Sequence, residues 1–152
     1  MSFGIRSPAH NVFISAQPDG SLQTRPSLGG DWEKFKIEGL GGGHVAIRSA
    51  HGYVLSVQPD GRIEKRPGVG GAWEKVTIVK NADGSVAFRS AHGTFLCSDA
   101  AAPGGFIWNR PAVGPWESFH LIPVRVLVAY GASRRAIEAL LRRVRRRAAM
   151  LP

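Results

Sequence analysis

The 152-residue sequence contains one cysteine, Cys97, and no long apolar run. A single cysteine excludes an intramolecular disulfide and a zinc site built on several thiolates, and nothing indicates an oxidising compartment. We expect Cys97 to be a small buried residue. The longest apolar stretch, 124–130, is interrupted by Arg125 and is far shorter than the ~20 residues that span a bilayer. Residues 1–11 lack a signal-like apolar region, so we expect a soluble, cytoplasmic protein.

Sequence motifs of common enzyme classes are also missing. The chain has no Gly-x-Ser-x-Gly, no His-Glu-x-x-His, no P-loop and no dinucleotide-binding glycine fingerprint. The glycine run at 39–43 lacks the following Lys-Ser/Thr of a phosphate-binding loop, so we interpret it as a linker. We therefore expect no catalytic residues, no cofactor and no metal site.

The composition favours a folded chain of short elements. Hydrophobic residues make up 43% and charged residues 20%, and four Trp, seven Phe and two Tyr supply bulky side chains for a core. Nineteen Gly and ten Pro, without a collagen-like period, are typical of many tight turns. These values predict the all-β class.

Three copies of one unit fill most of the chain, at about 3–38, 45–79 and 86–122. Their histidines are 41 and 41 residues apart and their tryptophans 41 and 43 residues apart. These recurring residues are His10, His51 and His92, and Trp32, Trp73 and Trp116. Within each unit, short apolar runs alternate with turn signals such as Pro-Asp-Gly, which predicts four strands per unit and twelve in all. A four-stranded repeat also fits propeller blades, but three blades are too few to close a ring.

Local sequences in the units carry a family resemblance. The strings RSAHGYVLS with PDGRI, and RSAHGTFL followed by a WEKF-like strand, resemble the fascin-type β-trefoil repeat. The resemblance covers about four fifths of the chain and implies a β-trefoil at 1–123, with pseudo-threefold symmetry. It also implies a basic surface that attaches to an acidic filament such as actin. The Q-x-W signature of ricin-type trefoils is absent.

Residues that recur in all three units are expected to serve the fold first. We expect the three tryptophans to plug the barrel, with a sugar-stacking platform as the alternative. The recurring arginines and the glutamates that follow Trp suggest cross-strand ion pairs, with a partner-binding ring of basic residues as the alternative. The histidines fall in hairpin turns, beside residues where a positive φ is inexpensive, and we expect them to be exposed. The arginines are Arg6, Arg48, Arg89, Arg25, Arg66 and Arg110, and the glutamates are Glu33, Glu74 and Glu117.

Ligand specificity is expected where the units differ. Units one and two hold all the lysines, and unit three has a longer loop, 99–105, followed by aromatic residues. An exposed aromatic surface there is one interpretation, and a tolerated loop insertion is the other. The resulting ligand-binding candidates are Lys34, Lys36, Lys65, Lys75, Asp99, Phe106 and Trp108.

The C-terminal extension, 124–152, carries most of the charge. It holds eight arginines against one glutamate, or +7 of the total +9. Apolar residues at helical spacing predict a basic amphipathic helix at about 133–149. Its basic face contains Arg135, Arg142, Arg143, Arg145, Arg146 and Arg147. We expect the apolar stripe to pack on the trefoil or self-associate; binding of nucleic acid or an anionic membrane is less favoured.

The sequence as a whole predicts a non-enzymatic binding module. The leading partner is an acidic or polymeric protein, with an actin-like filament implied by the fascin resemblance. The alternative partner is a polysaccharide, bound as a carbohydrate-binding trefoil would bind it.

Overall fold

The computed structural model describes residues 1–124 and 141–143. Twelve strands lie in this part of the chain, four in each unit, as predicted. They are β1 Ser2–Ser7, β2 Val12–Ala16, β3 Leu22–Arg25, β4 Phe35–Gly41, β5 His44–Ser49, β6 Val54–Val57, β7 Ile63–Arg66, β8 Thr77–Lys80, β9 Val86–Arg89, β10 Phe95–Ser98, β11 Phe106–Arg110 and β12 His120–Pro123.

Six of these strands close into a barrel. Antiparallel pairing joins β1 to β4, β4 to β5, β8 to β9 and β12 to β1. Single-residue pairings beside the strand ends, Val45 with Val76 and Val86 with Phe119, join β5 to β8 and β9 to β12. Closure leaves the barrel without an exposed sheet edge. The remaining strands form three hairpins, β2–β3, β6–β7 and β10–β11, which completes the β-trefoil arrangement.

Positive φ angles recur at the first turn of each unit. Asn11, Gly52 and Gly93 have φ values of 55°, 93° and 80°, which confirms the conformation predicted for this position. Asparagine and glycine are the residues that enter this region at least cost. The turn brings the histidine that precedes it against the neighbouring unit.

The core sits inside the barrel and under the hairpins. Equivalent positions of the three units supply it, among them Ile5, Ile47 and Phe88 on the first strands. Phe35, Val76 and Phe119 lie where the fourth strand begins, and each is at most 1% exposed. Cys97 is fully buried, as predicted.

The tryptophans do not plug the barrel, so that prediction is wrong. Trp32, Trp73 and Trp116 are 42%, 42% and 46% exposed. Each lies in a 3₁₀ turn, Asp31–Glu33, Ala72–Glu74 or Pro115–Glu117, before the fourth strand starts. The turn directs the indole outward, and the residue three positions later fills the barrel instead.

The aromatic residues of unit three are buried rather than exposed, which corrects the second aromatic prediction. Phe106 is 5% exposed and Trp108 is fully buried. The Trp108 indole Nε1 donates to the Thr94 carbonyl at 3.2 Å, and its ring meets Phe88 edge-on at 6.4 Å. Because the indole N–H finds a partner inside the protein, full burial of this ring is not penalised. Neither residue is available to a ligand.

Of the C-terminal extension, only three helical residues beyond Val124 are described. Leu141 is 1% exposed, whereas Arg142 and Arg143 are exposed. These three agree with an apolar stripe facing protein and arginines facing solvent. The rest of the predicted helix at 133–149, including Arg135, Arg145, Arg146 and Arg147, lies outside the described residues. Within 1–124 and 141–143, no helix is long and apolar enough to cross a membrane.

Candidate functional site

Three tryptophan–histidine pairs join the units in a ring. Trp32 contacts His51, Trp73 contacts His92 and Trp116 contacts His10, with ring centroids 5.0, 5.4 and 5.0 Å apart. In every pair the tryptophan belongs to one unit and the histidine to the next around the barrel. The ring planes of each pair are tilted by 56° to 60°, and 42% to 46% of each tryptophan stays exposed to solvent.

Hydrogen bonds fix the histidines in these pairs. His51 Nε2 donates to the Ala16 carbonyl and His92 Nε2 to the Val57 carbonyl, both at 2.8 Å. His10 Nδ1 lies 3.0 Å from the Ser98 hydroxyl. The histidines are therefore half-buried contacts between units, and the prediction of exposed hairpin tips is wrong. Among the described residues, no group of three or more His, Cys, Asp or Glu is placed to hold a metal ion.

A recurring glutamate fixes the loop that carries each tryptophan. The Glu74 carboxylate accepts from the Gly70 and Gly71 backbone N–H groups at 2.9 and 3.0 Å and from the Ser56 hydroxyl at 2.8 Å. Glu33 accepts from Gly30 and Ser15 in the same way.

The predicted ion pairs between the recurring arginines and these glutamates are therefore wrong. The Glu33 and Glu74 carboxylates accept hydrogen bonds from serine hydroxyl and backbone N–H groups of their own unit instead.

Unit three has a thiol where the other units have this serine. Cys97 takes the place of Ser15 and Ser56 beside Glu117, whose carboxylate accepts from Gly114 N at 2.9 Å. Burial raises the pKa of the Cys97 thiol to about 12, and the adjacent Glu117 carboxylate adds to the shift. The thiol is thus held protonated, unlike the low-pKa thiolate of a reactive cysteine.

Beside two of the tryptophans, equivalent basic clefts open between neighbouring units. Cleft A lies between units one and two and has a volume of about 380 Å³. Cleft B lies between units two and three and has a volume of about 340 Å³. Cleft A is lined by Ser2, Asp31, Trp32, Lys34, Lys36, Arg48, Ser49, Ala50 and Gly52. Cleft B is lined by His44, Ala72, Lys75, Thr77, Arg89, Ser90 and Ala91.

Strand pairing explains why cations from two units meet in each cleft. In cleft A, Lys36 on β4 pairs with Arg48 on β5. In cleft B, Thr77 on β8 pairs with Arg89 on β9, and Lys75 lies two residues earlier. The arginines are thus part of the candidate site, although the sequence favoured a structural role over a partner-binding basic ring. The feature of the sequence that could have identified these arginines is their position on the strand that pairs with the lysine-containing segment.

The third interface between units lacks this character. Ser118 and His120 occupy the places of the cleft lysines, and Pro8 follows Ser7. Arg6, the counterpart of Arg48 and Arg89, is 5% exposed and donates to the Asn11 side chain at 2.7 Å. Among the described residues, the third interface therefore has no counterpart of the lysine–arginine pair that lines clefts A and B.

The other predicted site residues lie elsewhere. Lys65 lines a third depression of about 500 Å³, next to Tyr53, and its ammonium donates to the Pro18 carbonyl at 3.1 Å. Asp99 forms an ion pair with Arg110 at 2.7 Å across the unit-three hairpin. The structure thus brings Lys34 and Lys36 together, places Lys75 in the equivalent cleft, and separates Lys65 and Asp99 from both.

The comparisons with known proteins find similarity of structure and no matching sequence family. No family model matches the sequence, and no curated protein matches it. A designed threefold-symmetric protein, ThreeFoil, superposes with a TM-score of 0.71 at 20% identity, over 80% of this chain and 98% of that one. The BEL β-trefoil superposes with a TM-score of 0.69 at 16% identity, over 80% of this chain and 91% of that one. The chain has the β-trefoil fold.

Proposed function

We propose that this protein is a non-catalytic carbohydrate-binding module that presents tryptophan platforms at the interfaces between its units. The observation that carries the proposal is the exposure of Trp32, Trp73 and Trp116, at 42%, 42% and 46%. Large aromatic side chains are normally covered, and exposed ones in ordered positions mark interaction sites.

The platforms are rigid before any ligand arrives. The paired histidine packs against each indole, and the glutamate one residue later fixes its loop through backbone hydrogen bonds. A preorganised ring loses little conformational entropy on binding, which favours contact with the apolar face of a sugar ring. Polar donors line the adjoining clefts, where hydroxyl groups of a sugar would find partners.

Repetition supports a polymeric ligand. Three platforms on one module allow several weak contacts with one chain, so that the overall affinity exceeds that of a single platform. Shallow clefts of a few hundred cubic ångströms suit individual residues of a polysaccharide better than a deeply enclosed small molecule.

A glycan array probed with the full chain, followed by titration calorimetry with the best oligosaccharide, tests the proposal. We expect Trp32→Ala and Trp73→Ala each to weaken binding about tenfold, equivalent to about 1.4 kcal/mol. Val69→Ala is the matched control, since Val69 is an apolar side chain in the loop before Trp73 and is 38% exposed. This control should bind like the parent.

Thermal melts separate loss of a platform from loss of fold. Trp73→Phe keeps an aromatic ring beside His92 and should retain more stability and more binding than Trp73→Ala. Binding that survives in a folded variant with all three tryptophans replaced by alanine would refute the proposal. The absence of any bound glycan on the array would also refute it.

A second candidate is attachment to an acidic protein filament. It is supported by the fascin-like repeat and by the meeting of Lys34, Lys36 and Arg48 in cleft A. Co-sedimentation with filamentous actin tests it, and Lys34→Gln with Lys36→Gln should reduce the bound fraction if cleft A makes the contact.

A further inference from the structure

Clefts A and B differ in their carboxylates. In cleft A, Asp31 lies 3.1 Å from the Lys34 ammonium and Glu38 lies 2.6 Å from Arg48 Nε. The equivalent positions in unit two are Ala72 and Val79. Both acidic partners of cleft A are therefore replaced by apolar residues around cleft B.

Among the described residues, the cations of cleft B consequently lack counter-charges. Lys75 and Arg89 are exposed and line the same cleft. Within 1–124 and 141–143, the ion pairs described include neither of them. Two like charges that face one open cleft raise its potential and attract an anion.

The groups in cleft B have the donor chemistry of an oxyanion site. Arg89 offers a planar fork of N–H donors and Lys75 a compact ammonium, a combination that binds carboxylate, sulfate and phosphate oxygens. Arg89 is anchored on β9 by pairing with Thr77 on one side and Phe95 on the other. The His44 ring lies 3.4 Å from the Thr77 hydroxyl at the rim and adds a further polar group.

We propose that cleft B binds an oxyanion substituent, a sulfate or carboxylate group, carried by the polysaccharide that stacks on the platforms. Ala72 lines the cleft and Trp73 is the next residue, so a sugar on the platform would bring its substituents to the cleft. The presence of an anion site follows from the charges, whereas its assignment to a glycan rests on the proposed function. Cleft A, in which Lys34 and Arg48 are each paired with a carboxylate, is the weaker site.

Amide NMR titration of the full chain with sodium sulfate locates the site directly. Sodium chloride at matched ionic strength controls for screening, and residue-specific signals separate cleft B from the arginine-rich extension. We expect saturable shifts at Lys75, Arg89 and Ala91. Shifts at the cleft A equivalents Lys34, Arg48 and Ala50 should be at least several-fold weaker at the same sulfate concentration.

Exchange of the carboxylates between the clefts gives a test that removes no cation. Ala72→Asp with Val79→Glu should place carboxylates beside Lys75 and Arg89 and weaken sulfate binding at cleft B at least tenfold. Asp31→Ala with Glu38→Val should release Lys34 and Arg48 and produce sulfate-dependent shifts at cleft A. Lys75→Gln with Arg89→Gln should abolish the cleft B response.

Neutral, sulfated and carboxylated forms of one oligosaccharide identify the source of the anion. We expect the charged forms to bind more tightly than the neutral form and to lose that advantage in the Ala72→Asp, Val79→Glu variant. If sulfate shifts no cleft B amide while the tryptophan variants still lose sugar binding, cleft B is not an anion site and the proposed function stands. If free sulfate binds there but the charged sugars gain nothing, the assignment to a glycan is wrong.

Discussion

Replacement of Glu74 tests whether the recurring glutamates hold the platforms in place. Glu74 is 6% exposed and accepts three hydrogen bonds, two from backbone N–H groups and one from the fully buried Ser56 hydroxyl. A hydrogen bond to a charged group contributes about 1.5 to 3 kcal/mol, and a buried donor left without a partner costs about 1 to 3 kcal/mol. Gly70 and Gly71 are exposed, so water can replace part of their loss.

We therefore expect Glu74→Ala to lower the free energy of unfolding by about 3 to 4 kcal/mol. Glu74→Gln keeps a neutral acceptor and should cost about half as much. Glu33→Ala is a matched comparison, because Glu33 binds Ser15 and one backbone N–H group, that of Gly30, and should cost less. Urea unfolding monitored by circular dichroism provides the values.

A double-mutant cycle isolates the bond to Ser56. Glu74→Ala and Ser56→Ala should show a coupling of about 1 to 2 kcal/mol, as expected for residues in direct contact. Ligand binding should weaken in these variants only as far as the loop that carries Trp73 becomes less well ordered. Unchanged stability in Glu74→Gln together with abolished ligand binding would refute the structural role and make the carboxylate a ligand contact.

Two further predictions concern a close backbone approach and the buried thiol. Gly61 has a φ of 91°, and a Cβ placed on it would lie 2.6 Å from the Asn109 Cβ. Gly61→Ala should therefore lower the free energy of unfolding, measured in urea, by about 1 to 3 kcal/mol. An unchanged free energy of unfolding would refute this contact. Because burial raises the pKa of Cys97 to about 12, its contribution to stability should be fully present below the unfolded pKa of about 8.5 and be lost as pH rises toward 12. Cys97→Ser should make the stability less steep between pH 9 and pH 11, and a native thiol that reacts readily with a thiol reagent at pH 8 would contradict the assignment.

The repeat was sufficient to predict three units of four strands, because its spacing set the number of units and its turn residues set the strands. The resemblance to the fascin-type repeat then implied the trefoil arrangement of these strands. The repeat did not predict in which direction the tryptophan side chains point. A large aromatic residue just before a strand fits either a barrel plug or an exposed turn. Three residues later, Phe35, Val76 and Phe119 fill the interior, and only the 3₁₀ turn between the two positions decides which residue points inward.

The candidate clefts were partly predictable. Lys34, Lys36 and Lys75 were found because lysines break the symmetry of the units. Arg48 and Arg89 were not among the ligand-binding candidates, because an arginine that recurs in every unit resembles a structural residue. Their place in the clefts depends on the register of β4 with β5 and of β8 with β9, and their pairing depends on whether a carboxylate lies nearby, neither of which local sequence specifies.

Recurrence and function are therefore not exclusive in this trefoil. A residue repeated three times can build the interface between units with one part of its surface and present another part to solvent, as Trp73 does beside His92. What distinguishes one interface from the next is then the set of charges around the shared scaffold. Because Ala72 and Val79 replace two carboxylates, cleft B keeps an arginine and a lysine of the repeat but loses the groups that neutralise them in cleft A. Two apolar replacements are enough to convert a paired structural arginine into a candidate ligand-binding one.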